Sequence, residues 1–120
     1  MQIFLTGGTG YMGSRLIPLL AGRGHTVKAL VRPGSENKLP AGAEQVPGDA
    51  LKLDSYTEAV RGAETFVHLI GVAHPSPSKG ERFREIDLVS VRVAVKAARE
   101  AGVKHFVYLS VAQPAPMMKN

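Results

Sequence analysis

A glycine-rich turn between a short apolar run and an amphipathic stretch constrains the fold of this 120-residue sequence more than any other feature. Residues 2–6 read QIFLT, a run typical of a buried strand, and Gly7, Gly10 and Gly13 follow it at a G-x-x-G-x-x-G spacing. From residue 11 to about residue 22, the apolar side chains recur at helical intervals. A strand, a glycine turn and a helix in this order predict the beginning of a βαβ unit.

Apolar runs and helical stretches alternate through the rest of the chain. Further strands are predicted at residues 25–32 (HTVKALVR), 44–47 (EQVP), 64–72 (ETFVHLIGV) and 105–110 (HFVYLS). Further helices are predicted at residues 54–61, with Asp54 as the N-cap, and at residues 81–101. Five strands joined by helical connections predict one α/β domain over residues 1–120. We expect a Rossmann-type, doubly wound parallel sheet with strand order 3-2-1-4-5, incomplete at its C-terminus.

The glycines of the turn are suited to hold a pyrophosphate. Gly7 permits a tight turn off the strand, Gly10 lets the backbone approach the anion, and Gly13 lets the helix pack closely. The first helical turn also offers N–H groups and a partial positive charge to an anion. The pattern therefore predicts a dinucleotide site. Its candidate contacts in this segment are Gly7, Thr9, Gly10, Tyr11, Met12 and Gly13.

A cation stands at the end of the second predicted strand, where dinucleotide sites read the adenosine ribose. NAD sites place Asp or Glu there, whereas this chain has Arg32, and the next acid is Glu36. A guanidinium pairs with the 2′-phosphate of NADP, which a carboxylate would repel. The sequence therefore favours NADP, with NAD as the alternative cofactor, although a solvated Arg32 is also compatible with the pattern. Arg15, in the first helical turn, is a second candidate phosphate contact.

The third and fourth predicted strands add candidate contacts at the same edge of the sheet. After the third strand, Asp49 is placed to accept a hydrogen bond from an adenine amino group and Ala50 to donate one from its backbone. An Asp that caps the next turn is the alternative interpretation. Small residues end the fourth strand, and either a nearby nicotinamide-side ribose or helix–sheet packing accounts for their size. They are Gly71, Val72 and Ala73.

Composition limits the other classes of function. The chain has no cysteine, and its four histidines stand singly, so we expect no metal site; His74 alone lies in a loop at the ligand-binding edge. The net charge of +5 is spread along the chain, so we expect no nucleic-acid partner. No apolar run approaches the about 18 residues of a membrane span, and no basic segment precedes the first strand. A cytoplasmic protein without a membrane partner is expected.

With these residues in place, the chain resembles the N-terminal part of an atypical or extended short-chain dehydrogenase/reductase. That group includes NAD-dependent epimerase/dehydratase-like and NmrA-like proteins. The resemblance extends to about residue 112 and rests on residues 6–13 (TGGTGYMG), 24–27 (GHTV), 31–32 (VR), 48–49 (GD) and 97–110 (AAREAGVKHFVYLS). It implies a nicotinamide cofactor that exchanges hydride with a small-molecule substrate, a catalytic serine at Ser110, and a Tyr-x-x-x-Lys pair on the following helix.

The sequence departs from the family pattern after Ser110, because no tyrosine follows before Asn120. The other tyrosines, at positions 11, 56 and 108, belong to other predicted elements. We therefore expect a cofactor-binding part of a longer oxidoreductase, with negligible turnover by itself. Two alternatives remain open: a non-catalytic NAD(P)-binding sensor of the NmrA-like type, and a nucleotide-sugar epimerase or dehydratase that uses NAD.

The helix predicted at residues 81–101 has apolar side chains on two sides. Ile86, Val89 and Val93 form one stripe, and Leu88, Val91 and Val95 form the other. A helix with two apolar sides must be covered on both of them. The sheet would cover one, and either another part of the same protein or a second copy in a homodimer would cover the other.

Overall fold

The computed structural model describes residues 1–70 and 80–109, and the side chains of the second segment from Leu88 onward. Within these residues the strands are β1 (Gln2–Thr6), β2 (Thr26–Val31), β3 (Ala43–Pro47), β4 (Thr65–His68) and β5 (His105–Tyr108). The α-helices are α1 (Tyr11–Gly22), α2 (Thr57–Val60) and α3 (Gly80–Ala101). Two single 3₁₀ turns lie at Glu36–Lys38 and Leu53–Ser55.

The strands form a parallel sheet in the order β3-β2-β1-β4-β5, as predicted. The order reverses beside β1: the chain builds β2 and β3 on one side, then crosses over to build β4 and β5 on the other. In open α/β sheets, a crevice opens at this point, outside the carboxyl ends of the strands. The glycine turn follows β1 directly and so lies at the mouth of that crevice.

The two faces of the sheet have separate cores. One face packs against α1 through aliphatic side chains, among them Ile3, Leu5, Ile17 and Val67. The other face carries aromatic rings, with Phe4 stacked on Tyr56 at a ring-centroid distance of 5.6 Å. The alternation of Ile3, Phe4 and Leu5 along β1 sends neighbouring side chains into opposite cores, as the two-residue period of a strand requires.

The side of α3 that packs on the sheet consists mainly of residues outside the two predicted apolar stripes. From Leu88 onward, the buried residues of α3 are the small Ser90, Ala94, Ala97 and Ala98. Val93 of one stripe is partly buried against the same core, whereas Leu88, Val89 and Val95 are exposed. The physical reason lies in the facing strands: the bulky rings of the aromatic face already fill the layer, so only short side chains let the helix approach.

Three element boundaries also differ from the prediction. The helix expected at residues 54–61 is a 3₁₀ turn followed by the four-residue α2, and Asp54 makes no cap. Tyr56 separates the two pieces, with its side chain buried in the aromatic core. Strand β4 ends at His68 and β5 at Tyr108, earlier than expected. Among the described residues, no helix combines the length and apolar character needed to cross a membrane.

Candidate cofactor-binding site

In the described part of the chain, a cavity of about 850 Å³ opens at the carboxyl edge of the sheet, beside β1. Its wall combines the glycine turn, the segments after β2, β3 and β4, and one residue of α3. The lining residues are Gly7, Gly8, Thr9, Gly10, Tyr11, Met12, Gly13, Leu30, Val31, Arg32, Ser35, Lys38, Gly48, Asp49, Ala50, Leu51, Leu69, Ile70 and Ser90. The structure therefore brings most of the sequence-predicted candidates to one wall.

The glycine turn is held by contacts that exclude side chains. Gly7 has a φ of +77°, a left-handed conformation that favours glycine, and its carbonyl oxygen accepts a hydrogen bond from the Gly10 N–H at 3.1 Å. A Cβ on Gly13 would collide with the Gly7 carbonyl oxygen and lie 2.6 Å from the Gly8 Cα atom. Gly13 thus lets α1 pack on the turn itself, and a larger residue would push the two apart.

Gly10 behaves differently, because the protein itself leaves room for a side chain there. A Cβ on Gly10 would meet only the Gly7 carbonyl oxygen, at an ordinary distance of 3.4 Å. Gly10 is also the N-cap of α1, which has no side-chain cap and no acidic residue in its first turn. The positive end of the helix therefore faces the cavity beside a residue without a Cβ, an arrangement that fits a pyrophosphate.

Two cations lie on the cavity wall after β2. Arg32 was predicted from the sequence, whereas Lys38 and the neighbouring Ser35 were not. The 3₁₀ turn at Glu36–Lys38 folds this loop back so that Lys38 reaches the same wall. Glu36, the acid closest to Arg32 in sequence, accepts a hydrogen bond from the Gly34 N–H and is absent from that wall. Among the described lining residues the only carboxylate is that of Asp49, so two cations against one anion leave this end of the cavity with a net positive charge.

The segment after β3 combines the two interpretations offered for Asp49. Its Oδ1 atom accepts a hydrogen bond from the Leu51 N–H at 2.9 Å, and its own N–H donates to Ser55 Oγ at 2.9 Å. Asp49 therefore stabilises the turn, as a capping residue would. It also lines the cavity beside Ala50, at the position where an adenine contact was predicted.

Arg15 lies apart from this wall. Its guanidinium carbon is 3.7 Å from the centroid of the Tyr11 ring, and its Nη1 atom donates to the Tyr11 carbonyl oxygen at 3.0 Å. The exposed Tyr11 lines the cavity and Arg15 does not, so Arg15 contacts a residue of the wall without being part of it. Other predicted residues lie outside the described part of the chain, namely Gly71, Val72, Ala73, His74 and Ser110.

A buried polar chain lies under the opposite end of the cavity. Thr6 Oγ1 is 2.7 Å from His68 Nδ1, and His68 Nε2 is 3.3 Å from Ser90 Oγ. Burial lowers the pKa of His68 to about 4, so its ring is neutral at neutral pH. The sequence identified His68 only as a strand residue, since no local pattern indicates a partner 22 residues away on a helix.

The geometry agrees with comparisons to known proteins. The family whose description is NAD(P)H-binding matches residues 7–116. A 3 beta-hydroxysteroid dehydrogenase/Delta 5→4-isomerase of Mycobacterium tuberculosis is 30% identical over 115 residues, which are 91% of this chain and 31% of that protein. A 4-hydroxy-2-methyl-3-oxo-4-farnesyl-3,4-dihydroquinoline-1-oxide ketoreductase of Stigmatella aurantiaca is 28% identical over 112 residues, 92% of this chain and 33% of that one.

A solved structure shows the same architecture. A short-chain dehydrogenase/reductase superfamily protein of Agrobacterium tumefaciens, with NAD bound, matches with a TM-score of 0.71 and 27% identity. The match covers 90% of this chain and 32% of that one. The chain thus spans about a third of the length of these relatives. The resemblance to short-chain dehydrogenases/reductases is confirmed, and the chain belongs to the NAD(P)H-binding family.

Proposed function

We propose that this chain is the cofactor-binding part of a short-chain-type oxidoreductase, which transfers hydride and prefers NADP to NAD. The observation that carries the proposal is the position of Arg32 and Lys38 on the same cavity wall as the glycine turn. When bound, the nicotinamide would donate or accept the hydride. The protein's part is to hold the dinucleotide by its phosphates and its adenosine.

The preference for NADP follows from charge. The 2′-phosphate distinguishes NADP from NAD, and a guanidinium and an ammonium both donate charge-assisted hydrogen bonds to phosphate oxygens. Ser35, between the two cations in sequence, adds a hydroxyl to the same wall. Because both cations are exposed, water screens them, and we expect a preference of about tenfold rather than a thousandfold.

The remaining wall residues suggest the orientation of the cofactor. The pyrophosphate would bind at Gly10 and the first turn of α1, and the adenosine at the end formed by Arg32 and Asp49. The nicotinamide half would then extend toward Leu69 and Ser90. In doubly wound sheets, dinucleotides lie across the strand ends in this manner. These assignments also give Ala50 a place beside the adenine.

The relatives suggest a substrate class. A ketoreductase and a hydroxysteroid dehydrogenase are named for reactions at a ketone or at an alcohol. A carbonyl–alcohol couple is therefore the substrate class that we propose for the whole protein. Ser110 remains the candidate catalytic residue of this chain.

Calorimetric titration of the chain with NADPH and NADH tests the proposal. We expect NADPH to bind about tenfold more tightly, and Arg32→Asp to reverse the order. Arg23→Ala is the matched control, since Arg23 is an exposed cation at the other end of α1. Equal affinities, or the NAD preference that the NAD-bound Agrobacterium structure offers as the alternative, would overturn the preference for NADP. Failure to bind either nucleotide would overturn the function itself.

A further inference from the structure

A chain of three buried polar side chains connects both halves of the sheet to α3. Thr6 is the last residue of β1, and its register partner His68 is the last residue of the neighbouring strand β4. Ser90 lies on α3. All three are fully buried, with 0% exposed surface. Filling this space with aliphatic side chains would avoid the loss of hydration, so the polar chain calls for an explanation beyond packing.

The imidazole of His68 makes a hydrogen bond through each of its two nitrogens. Nδ1 lies 2.7 Å from Thr6 Oγ1, which also accepts a hydrogen bond from the Leu69 N–H at 3.3 Å, and Nε2 lies 3.3 Å from Ser90 Oγ. Burial lowers the pKa of His68, so the ring is neutral: one nitrogen donates, the other accepts, and the two hydroxyls can serve in either direction. In either tautomer, the ring therefore links Thr6 to Ser90.

One end of this chain, Ser90, is part of the cavity wall, and the other end, Thr6, adjoins it. Thr6 immediately precedes Gly7, and a Cβ on Gly7 would lie 2.8 Å from the Leu69 carbonyl carbon, so the turn and the end of β4 are in close contact. Ser90 and Leu69 both line the cavity, at the end away from Arg32. His68 itself is absent from the wall, and it joins Ser90 of the wall to Thr6, the residue before the glycine turn.

We propose that His68 is a positioning residue for the dinucleotide: by joining Thr6 to Ser90, it fixes the distance between the glycine turn and α3. That distance determines how the nicotinamide half of the cofactor fits between Leu69 and Ser90. The inference rests on the proposed function, because it needs the adenosine at the Arg32 end. It predicts a selective defect, since the Arg32 end does not depend on this contact.

The effect of a variant on the binding of two different ligands distinguishes this positioning role from a purely structural one. NADPH occupies both ends of the cavity, whereas 2′,5′-ADP carries only the adenosine half and its phosphates. A structural defect would weaken the binding of both ligands by the same factor. A positioning defect would weaken only the binding of NADPH.

Each variant removes or keeps one of the two hydrogen bonds that the His68 imidazole makes, to Thr6 and to Ser90. His68→Asn retains a polar atom near the position of Nδ1 but is too short to reach Ser90, and Ser90→Ala removes the hydroxyl that Nε2 contacts. His68→Gln places an amide near the position of Nε2, so it keeps the bond to Ser90 but loses the bond to Thr6 and tests the other half of the link. Thr65→Val is the matched control, because Thr65 is a hydrogen-bonded residue of the same strand at the end remote from the cavity.

The experiment is titration of the full chain and its variants with each ligand, with thermal melting to verify folding. We expect His68→Asn and Ser90→Ala to weaken NADPH binding about five- to tenfold and to change 2′,5′-ADP binding less than about twofold. His68→Gln, which breaks the bond to Thr6, should show the same selective loss, and Thr65→Val should bind both ligands like the wild type. If His68→Asn fails to fold, Ser90→Ala decides alone.

Equal losses for both ligands, or no loss of NADPH binding, would overturn the inference and leave the proposed function intact. A wild-type chain that binds neither ligand would instead overturn the proposed function, and this inference with it. The two failures are therefore distinguishable.

Discussion

Thr6 Oγ1 lies 2.7 Å from His68 Nδ1, although 62 residues separate the two in sequence. The contact joins the residue before the glycine turn to the end of the neighbouring strand. The ring that makes this contact is neutral, because burial disfavours the charged form and lowers the pKa of His68. The buried ring is consequently sensitive to acid.

The free energy of unfolding should fall between pH 6.5 and pH 4. The pKa of His68 is lowered to about 4 in the folded chain, whereas an unfolded histidine has a pKa of about 6.5. In this window the unfolded chain binds a proton that the folded chain does not, so stability decreases as the pH falls, by about 1.4 kcal/mol per unit. Urea unfolding of the wild type and His68→Gln measures the effect, because the carboxylates titrate in both proteins. Parallel pH profiles would contradict the prediction.

Alanine at Gly13 should reduce stability, whereas alanine at Gly10 should reduce cofactor binding. At Gly13, the Cβ would collide with the backbone of Gly7, so we expect a loss of about 2 kcal/mol or more in the free energy of unfolding. At Gly10, the new Cβ has room in the protein, so Gly10→Ala should keep its melting temperature but weaken NADPH binding at least tenfold. Gly22→Ala, with no neighbour within 4 Å, is the control and should not lower stability. Unimpaired NADPH binding by Gly10→Ala would place the pyrophosphate elsewhere.

Replacing Tyr56 with phenylalanine should stabilise the fold. Within the part of the chain that the structure describes, the Tyr56 hydroxyl is buried without a hydrogen-bond partner, and burial raises the pKa of the phenol. Phenylalanine keeps the stacking on Phe4 and removes the unsatisfied group, so we expect a gain of about 1 kcal/mol in denaturant unfolding. Tyr108→Phe is the control, because Tyr108 is partly exposed and has an interacting partner. A loss of stability in Tyr56→Phe would show that the hydroxyl is satisfied.

Salt should reduce the preference for NADPH over NADH. Arg32 and Lys38 are exposed, so their attraction to a 2′-phosphate is screened when the Debye length shortens from about 10 Å at 0.1 M to about 3 Å at 1 M salt. Lys38→Ala should lose about half of the salt dependence. The control is Lys104→Ala, which should retain the salt dependence, because Lys104 is exposed and lies outside the cavity wall. Titrations at several salt concentrations measure the slope. A preference independent of salt would argue against a charge-based choice of cofactor.

Local patterns in the sequence predicted the strand order and much of the cavity wall. Gly7, Arg32 and Asp49 were placed correctly at the wall, because parallel strands bring their carboxyl ends to one edge and each residue follows such an end. Among the candidates that the structure describes, Arg15 was the exception: it is one turn into α1, and its guanidinium stacks on the Tyr11 ring. The roles of these residues in binding stay predictions.

What the sequence did not predict depends on contacts between distant segments. Lys38 reaches the wall only because a 3₁₀ turn folds its loop back, and the partners of His68 come from another strand and a helix. The apolar stripes predicted on α3 consist of its large residues, whereas most of the buried residues among its described side chains are small, Ala94 and its neighbours. Periodicity identifies a helical stripe, but the space left by the facing aromatic rings determines which stripe fits.

The difference in packing between the buried Gly13 and the exposed Arg32 and Lys38 has an evolutionary consequence. A side chain at Gly13 would collide with the backbone of Gly7 and Gly8, so a larger residue there would disturb the turn. Under the proposed function, this turn would bind the pyrophosphate of either cofactor. Arg32 and Lys38 belong to neither core cluster, and their replacement leaves the fold almost undisturbed. Under the proposed function, descendants of this chain could therefore change their cofactor preference by a few surface mutations at residues 32 and 38, while the glycine turn stays unchanged.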